Sequence, residues 1–247
     1  MWITCIWLLV APALIPTALA QSTPPAHRSP YNLSVGRETA LLGTGALTFG
    51  IGQVASARMD VLSAEAISAL DRARVVPRFD QFAIGRRGAT AEAISDLTGY
   101  GSAFVPALLL LGDAPRVTFG EFAVVYAEVI AVNNGITNLV KNTVRRPRPY
   151  VYDGALPLSR KQIKDARRSF FSGHTSNAAA NAFFAAQAFA DYYPDSSARH
   201  YVWVGAATLP AVTGVTRVLA GKHYWTDVIV GYAAGAAVGL LVPALHR

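Results

Sequence analysis

Two histidines and several basic residues in the second half of the chain have the types and spacing needed to bind and cleave a phosphate ester. Lys141 and Arg148 are seven residues apart, where an apolar stretch ends at prolines. A compact ammonium and a planar guanidinium can hold one phosphate from two sides. His223 and Asp227 are four residues apart. On a helix, this carboxylate could accept the imidazole N–H and leave the other ring nitrogen free as a nucleophile.

A third segment, Ser172-Gly173-His174, stands directly before an Ala- and Asn-rich stretch that predicts a helix. The first turn of a helix has unpaired backbone N–H groups and the positive end of the helix dipole, so it can face an anion. His174 falls in this first turn, and Asn177 and Asn181 follow on the same helical face. The segment therefore has the features of an anion site.

Each segment alone has a simpler explanation. The basic run could be a solvated or lipid-facing surface, Ser172 could cap a helix beside a structural histidine, and the His–Asp pair could lie on a helix surface. Asn134 and Asn138 share the helical face of Lys141 and are candidates for lining the same pocket. The presence of all three segments in one chain favours a catalytic site.

In chain order, the three segments resemble the signature of the type 2 phosphatidic acid phosphatase (PAP2) superfamily, which also includes bacterial acid phosphatases and vanadium haloperoxidases. That signature is Lys-x6-Arg-Pro, Pro-Ser-Gly-His and Ser-Arg-x5-His-x3-Asp. The resemblance covers roughly residues 38–247 and departs from the signature at Phe171, in place of Pro, and at Thr216, in place of Ser. Neither departure removes a catalytic group, so both bear on substrate preference.

The resemblance implies which groups bind phosphate. Lys141, Arg148 and Arg217 would hold the phosphate oxygens. The Ser172 hydroxyl and the Gly173 backbone N–H would assist them. Such donors stabilise the charge that builds up as phosphorus becomes five-coordinate.

The resemblance also implies a metal-independent mechanism with no cofactor. His223, oriented by Asp227, would attack phosphorus, while His174 would protonate the departing oxygen and later activate water. The sequence lacks the clustered histidine and carboxylate ligands of a two-metal phosphatase. Three histidines match no segment and are given no role: His27, His200 and His246.

The hydrophobic pattern predicts an all-α fold, a six-helix PAP2-type bundle with the active site at one end. Six apolar stretches are each long enough for a helix, with polar connectors between them and no strand alternation. They cover residues 38–57, 95–112, 119–140, 174–192, 200–219 and 226–245.

Polar and small residues inside two of these stretches predict how they pack. The stripe of Gly231, Gly235 and Gly239 should let another helix approach closely. The third stretch carries polar residues that are costly against lipid and should face protein or water. These are Glu121, Glu128, Asn133 and Asn134.

The first residues have the pattern of a targeting segment. Residues 1–20 are apolar and end in Ala-Leu-Ala, which predicts a signal peptide cleaved after Ala20, with an uncleaved anchor as the alternative. Cys5 lies in this segment, so the mature chain would have no cysteine and no disulfide. Residues 21–37 predict a flexible linker, and residues 38–247 a single phosphatase domain.

Composition indicates a membrane and a negatively charged partner. Hydrophobic residues make up 52% of the 247 residues, charged residues 15%, and the formal net charge is +7. We expect a phosphorylated substrate, with aromatic residues around the site indicating a lipid or isoprenoid, and no nucleic acid. The aromatic residues are Phe170, Phe171, Tyr224 and Trp225.

The expected location is the periplasm or cell envelope, with membrane association and an active site facing outside. If all six helices crossed from an outside N-terminus, Lys141 would lie in the cytoplasm. A stretch at 95–112 that does not span would remove this conflict, since its apolar core is shorter than a membrane crossing. A soluble periplasmic form would also remove it.

Two other functions compete with the phosphatase. A vanadium-dependent haloperoxidase of the same superfamily would bind vanadate at His223, and the three segments do not separate it from a phosphatase. A non-catalytic protein could dock on anionic lipid through the basic residues 141–168. However, docking requires neither Ser-Gly-His nor a His–Asp pair.

Overall fold

The computed structural model describes residues 28–71 and 76–247, and these residues form helices and connecting loops with no strand. The expected signal peptide, the linker up to His27, and Cys5 lie outside the described residues. The α-helices are α1 (Val35–Ala57), α2 (Ala64–Ser68), α3 (Ala89–Gly101), α4 (Asp113–Val117), α5 (Phe119–Val144), α6 (Leu158–Lys161), α7 (Gly173–Tyr192), α8 (Arg199–Leu219) and α9 (Trp225–Ala244).

The all-α prediction is confirmed, but the prediction of six helices is wrong. The described ranges contain nine α-helices and five short 3-10 helices, because the connectors themselves form short helical turns. The stretch expected at 95–112 is not one helix. In its place α3 begins earlier and ends at Gly101, and 3-10 helices follow at Ser102–Phe104 and Pro106–Leu111. Pro106 lacks the N–H that would continue an α-helix.

The long helices bring four segment ends together at one end of the bundle. α1 and α5 run in the same direction, since Gly45 packs against Ala131 and Gly52 packs against Asn138. α5 ends where α7 begins, since Gly173 lies beside Lys141. The starts of α7 and α9 meet through Ser172 N, which donates to the carbonyl of Asp227 at 3.0 Å, and the last part of α8 packs there through Gly214 against Val228. We call this the site end, and the opposite end of the bundle the far end.

The glycine stripe on α9 is buried against α7, as its spacing predicts. A Cβ atom at Gly235 would collide with the carbonyl oxygen of Ser176, and one at Gly239 would lie 2.5 Å from that of Ala180. Side chains at these positions would therefore force the helices apart. Because Gly231 makes the same contact at the start of α7, this packing fixes the position of the site end of α9.

A buried ionic cluster joins both ends of the described chain at the far end. His246 Nδ1 donates to the carbonyl of Val242 at 2.8 Å, so the other ring nitrogen faces Glu128 at 2.9 Å and Glu38 at 3.3 Å. Glu128 and His246 are both fully buried, so the expectation that Glu128 faces protein is confirmed. Asn32 N donates to the carbonyl of His246 at 2.7 Å.

Among residues 28–71 and 76–247, four helical segments are long and apolar enough to cross a membrane. They are Val35–Ala57, Phe119–Tyr152, Arg199–Leu219 and Trp225–Ala244. Large apolar side chains project from the outer face of α1, including Leu47, which is 65% exposed. Large apolar side chains that remain this exposed in the described part of the protein favour contact with lipid.

The parallel arrangement of α1 and α5 constrains how the chain could cross. If both helices span in the same direction, residues 58–118 must return between them. In a bundle that spans the membrane, a non-spanning stretch at 95–112 therefore cannot explain how Lys141 would lie outside the cytoplasm. Residues 28–34 and Arg247 would then lie on the side of the membrane opposite the site end, since Asn32 is bonded to His246 at the far end.

Candidate active site

Basic side chains from three different elements surround the site end. Lys141, in the last turn of α5, is buried and donates to the carbonyl of Arg168 at 2.9 Å. Arg148 follows the turn in which Arg145 adopts a left-handed conformation (φ 54°), and it donates to the carboxylate of Asp165 at 2.9 Å. Arg217 is in the last turn of α8. These cations give the site a concentrated positive charge suited to a phosphate.

His223 lies against Arg148 with its ring nitrogens in defined roles. Its Nε2 atom is 3.1 Å from NH1 of Arg148. Because a guanidinium only donates, Nε2 accepts and the proton is on Nδ1. Nδ1 faces Oδ2 of Asp227 at 3.5 Å, and the His223 side chain is 1% exposed. The nitrogen with the free electron pair therefore points at the guanidinium of Arg148.

His223 precedes the last helix instead of lying on it, in contrast to the helical spacing considered from sequence. Tyr224 is the N-cap of α9, and Asp227 accepts its backbone N–H at 3.0 Å. Gly221 (φ 68°) forms the turn before His223, where a side chain would collide with the carbonyl of Arg86. This turn brings His223 back over the start of α9, beside Asp227.

A buried network holds Asp227 in place. Its carboxylate accepts hydrogen bonds from Ser169 Oγ at 2.5 Å and from Arg146 NH1 at 2.6 Å. Arg146 also donates to Asp80 at 2.8 Å, and Asp80 accepts the Thr226 hydroxyl at 2.6 Å. Asp227 and Asp80 are both fully buried. Such fully satisfied networks hold side chains rigidly.

His174 lies in the first turn of α7, close enough to His223 for the two rings to interact electrostatically. Its Nε2 atom is 3.1 Å from Oδ1 of Asp96, and NH1 of Arg217 donates to the same oxygen at 2.9 Å. The Tyr100 ring meets the imidazole edge-on at 4.8 Å. Gly99 packs directly on the imidazole, since a Cβ there would lie 2.7 Å from it.

The Ser-Gly-His segment begins α7, as its sequence predicts. Ser172 is the N-cap, and its buried hydroxyl contacts the Thr175 hydroxyl at 2.9 Å, so it serves the helix start. Gly173 lies beside Lys141 and leaves its backbone close to the ammonium. The Thr216 hydroxyl donates to the carbonyl of Val212 at 2.7 Å and does not take part in the site.

Burial and the surrounding cations keep both histidines neutral in the unliganded protein. Burial first, and then Arg217, Arg148 and Lys141, lower the pKa of His174 to about 3. Burial and the same three cations lower the pKa of His223 well below its ordinary value. A neutral His223 can act as a nucleophile, and a bound phosphate would oppose the effect of the cations on His174.

Some residues of the site were not found from sequence. Asp80, Asp96 and Ser169 belong to none of the three segments, and they contact the proposed site residues only through folding. Arg146 lies within the first segment but was given no role there. Asp96 had one usable signal, an acidic residue at the edge of an apolar stretch. Asn138 is bonded to the carbonyl of Phe49 instead of lining the site.

Comparisons with known proteins agree with this geometry. The PAP2 superfamily model matches residues 122–247. Phospholipid phosphatase 1 of Mus musculus is 26% identical over 134 residues, which are 46% of this chain and 47% of that protein. Lipid A 1-phosphatase of Rhizobium johnstonii is 37% identical over 122 residues, which are 49% of this chain and 43% of that protein. The chain thus matches about half the length of these relatives.

A solved structure has a similar helical arrangement. It is the crystal structure of a transmembrane PAP2 type phosphatidylglycerolphosphate phosphatase from Bacillus subtilis, with a TM-score of 0.50 and 20% identity over 82% of this chain and 95% of that one. The match supports the fold alone. The family model covers half of the chain, including every residue of the three segments, and it confirms the resemblance read from them. The chain therefore belongs to the PAP2 superfamily.

Proposed function

We propose that this protein is a metal-independent phosphatase that hydrolyses phosphate monoesters or diphosphates, most of all lipid-linked ones, through a phosphohistidine at His223. The observation that carries the proposal is the orientation of His223, whose unprotonated Nε2 is 3.1 Å from Arg148 and whose Nδ1 faces Asp227. The phosphatase names of the relatives support the same reaction class.

In the first step, Nε2 of His223 attacks phosphorus and the bond from phosphorus to the leaving oxygen breaks. The positive side chains of Lys141, Arg148 and Arg217 stabilise the charge on the other phosphate oxygens. The leaving oxygen takes a proton from His174, whose pKa we expect to rise when the phosphate charge arrives beside it.

In the second step, water attacks the phosphorus of the phosphohistidine and gives its proton to His174. The bond between phosphorus and Nε2 breaks, inorganic phosphate leaves, and His174 is again protonated for the next leaving group. Asp96, 3.1 Å from Nε2 of His174, orients this histidine in both steps. Asp227 does the same for His223.

Metal ions have no part in the proposed mechanism. Within the described residues, one group of three potential metal ligands occurs, formed by Glu38, Glu128 and His246. It belongs to the far end, and Glu128 precedes Lys141 by thirteen residues, or roughly 20 Å along a helix. Positive charge at the reacting phosphate comes from side chains.

The two rival functions are less well supported. The named relatives are phosphatases, which favours phosphate hydrolysis over vanadate-dependent halide oxidation. A protein that only docks on lipid would have no need to bury a histidine and an aspartate together, at 1% and 0% exposure, behind its basic surface.

Membrane association follows from the four apolar helices, together with the membrane-embedded relative of similar fold.

The expected extracytoplasmic site requires residues 28–34 and Arg247 to lie in the cytoplasm when the bundle spans. An extracytoplasmic site in a spanning bundle is therefore incompatible with cleavage after Ala20, because cleavage would leave residue 21 outside the cytoplasm while residues 28–34 lie inside it. The many basic residues of the segment 145–168 favour the opposite orientation, because short cytoplasmic loops carry an excess of Lys and Arg.

Hydrolysis assays with excess chelator test the proposed function. The protein should release phosphate from a nitrophenyl phosphate with chelator present, and vanadate should inhibit it by occupying the phosphate site. Activity that is lost with chelator and restored by magnesium or zinc would contradict the proposal. Vanadate-loaded protein that oxidises bromide with peroxide but does not hydrolyse esters would favour the haloperoxidase.

A further inference from the structure

A groove of about 130 Å³ adjoins His174 between α3, α5 and α7, and its lining is unusually rich in amides. The volume is enough for a few non-hydrogen atoms beyond a phosphate, since a liquid water occupies about 30 Å³. Four asparagines line it: Asn133, Asn134, Asn177 and Asn181.

Two of the four amides are held by the protein. Asn133 accepts the Ser176 hydroxyl at 2.7 Å and donates to Asn177 at 2.6 Å. Asn181 donates to Ser102 Oγ at 3.0 Å and accepts the Tyr126 hydroxyl at 3.2 Å. Their positions are therefore fixed before any ligand binds.

The other two amides have unused hydrogen-bonding groups. Asn177 uses its oxygen to accept from Asn133, and its NH₂ group has no acceptor among the described residues, so it can donate to a ligand. Asn134 makes no hydrogen bond within residues 28–71 and 76–247. Both residues are only partly buried and line the groove. A ligand with hydroxyl or carbonyl oxygens could pair with both.

The groove lies on the leaving-group side of the phosphate site. Gly99 and Tyr100, which contact the His174 ring, also line the groove. Asn177 is one turn beyond His174 on α7. Because His174 is proposed to protonate the leaving oxygen, the atoms attached to that oxygen extend toward these amides.

An amide lining distinguishes between possible leaving groups. Hydrocarbon packed against free amides would leave them without partners, which is costly away from water. Asn134 belongs to an apolar segment long enough to cross a membrane, Phe119–Tyr152. The lining thus suits oxygen atoms better than a hydrocarbon chain.

We propose that this groove is a subsite for the oxygen-rich backbone of the leaving group, as in a glycerolipid or glycolipid phosphate, and that Asn134 and Asn177 select it over an isoprenyl chain. The inference rests on the proposed phosphatase function, since it locates the leaving group relative to His174.

Relative kcat/KM values for four substrates test the subsite. We would assay the full-length protein in detergent with phosphatidic acid, a glycolipid 1-phosphate, an isoprenyl monophosphate and a nitrophenyl phosphate. The wild type should favour one or both of the first two over the isoprenyl ester. Asn134→Leu should lower kcat/KM for the favoured lipid by about 10- to 100-fold, as when a hydrogen bond to substrate is lost.

Asn134→Leu is suited to this test because Asn134 has no hydrogen-bond partner in the described residues, so the change leaves no protein group unpaired. Thr143→Val is the matched control. It replaces an exposed polar side chain on α5 that bonds only to its own helix. It should leave all four values within about threefold.

The substrate profile separates the possible outcomes. If Asn134→Leu selectively lowers kcat/KM for phosphatidic acid, the subsite binds a glycerol backbone. If it selectively lowers kcat/KM for the glycolipid 1-phosphate, the subsite binds a sugar. Both results support the subsite. A wild type that prefers the isoprenyl ester, or an equal loss for all substrates in Asn134→Leu, overturns it. Wild-type protein that hydrolyses no substrate would instead contradict the proposed function.

Discussion

Arg148 and His223 are in direct contact, with NH1 of the guanidinium 3.1 Å from Nε2 of the imidazole. A phosphate bound to Arg148 would therefore lie next to the nitrogen that we propose as the nucleophile. The two residues are 75 positions apart, and the contact depends on the turn at Gly221 and on the loop that carries Arg148. In the proposed mechanism, this contact places the phosphate-binding arginine beside the attacking histidine.

Asp227→Asn should lower kcat by orders of magnitude while changing vanadate affinity little. An asparagine can present its NH₂ group to His223 and favour the wrong tautomer, as in other histidine–aspartate pairs. Because Asp227 also caps α9, we expect a stability loss of about 1 kcal/mol or more. Steady-state kinetics and vanadate inhibition measure the two effects separately.

Asp80→Asn is the matched control for Asp227→Asn. Asp80 is equally buried and bonds to Arg146 and Thr226, but it is not a partner of His223. The Asp80→Asn protein should lose stability and lose much less turnover than the Asp227→Asn protein. If Asp227→Asn mainly weakened substrate affinity, or if both variants lost turnover equally, Asp227 would not be an orienting residue.

His174→Ala should discriminate between leaving groups. A nitrophenolate departs with little protonation, whereas an alkoxide needs a proton, and general acid catalysis typically contributes about 10²- to 10⁴-fold. In single-turnover assays, the variant should release nitrophenol substantially but an alkyl alcohol only slowly. His200→Ala, at an exposed position, is the control. Equal losses for both esters would contradict the general-acid role.

The stability of the unliganded protein should fall as the pH decreases below 6.5. The pKa of His174 is about 3 in the folded protein and 6.5 in its ordinary environment. Between these values the unfolded chain binds a proton that the folded protein does not, so the free energy of unfolding decreases with decreasing pH. His223 contributes in the same direction.

Unfolding measured from pH 8 to pH 5 tests this linkage. His174→Gln should give a shallower pH dependence than wild type, and His200→Gln should not. Saturating phosphate should also reduce the slope, because its charge offsets that of the cations around His174. Identical slopes in wild type and His174→Gln would show that His174 is not held neutral.

Reporter fusions at Arg247 should place the C-terminus and the active site on opposite sides of the membrane. For an extracytoplasmic site, a reporter that works only outside the cytoplasm should be inactive at Arg247, while a membrane-impermeant substrate is hydrolysed by intact cells. An active reporter, together with activity only in opened cells, would establish the reverse orientation. Reporter and active site on the same side would contradict a spanning bundle.

The sequence predicted the parts of the site that depend on local spacing. The start of α7 at Ser172-Gly173 and the packing stripe at Gly231 follow from capping and helical periodicity, and the structure has both. The position of Asp96 depends instead on how α3 packs on α8, which no local pattern specifies. The prediction of one helix at 95–112 was wrong because hydrophobicity alone does not distinguish α-helical from 3-10 segments.

Trapping the phosphoenzyme is the most direct test of a phosphohistidine at His223. Protein mixed with a substrate carrying labelled phosphate, in excess chelator, would be quenched in alkali within one turnover and mapped by mass spectrometry. The account predicts label on His223 in wild type, more label in His174→Ala with a nitrophenyl ester because the second step is slowed, and none in His223→Ala. Label that persists in folded His223→Ala, or a phosphoenzyme that forms only with added metal, would contradict it.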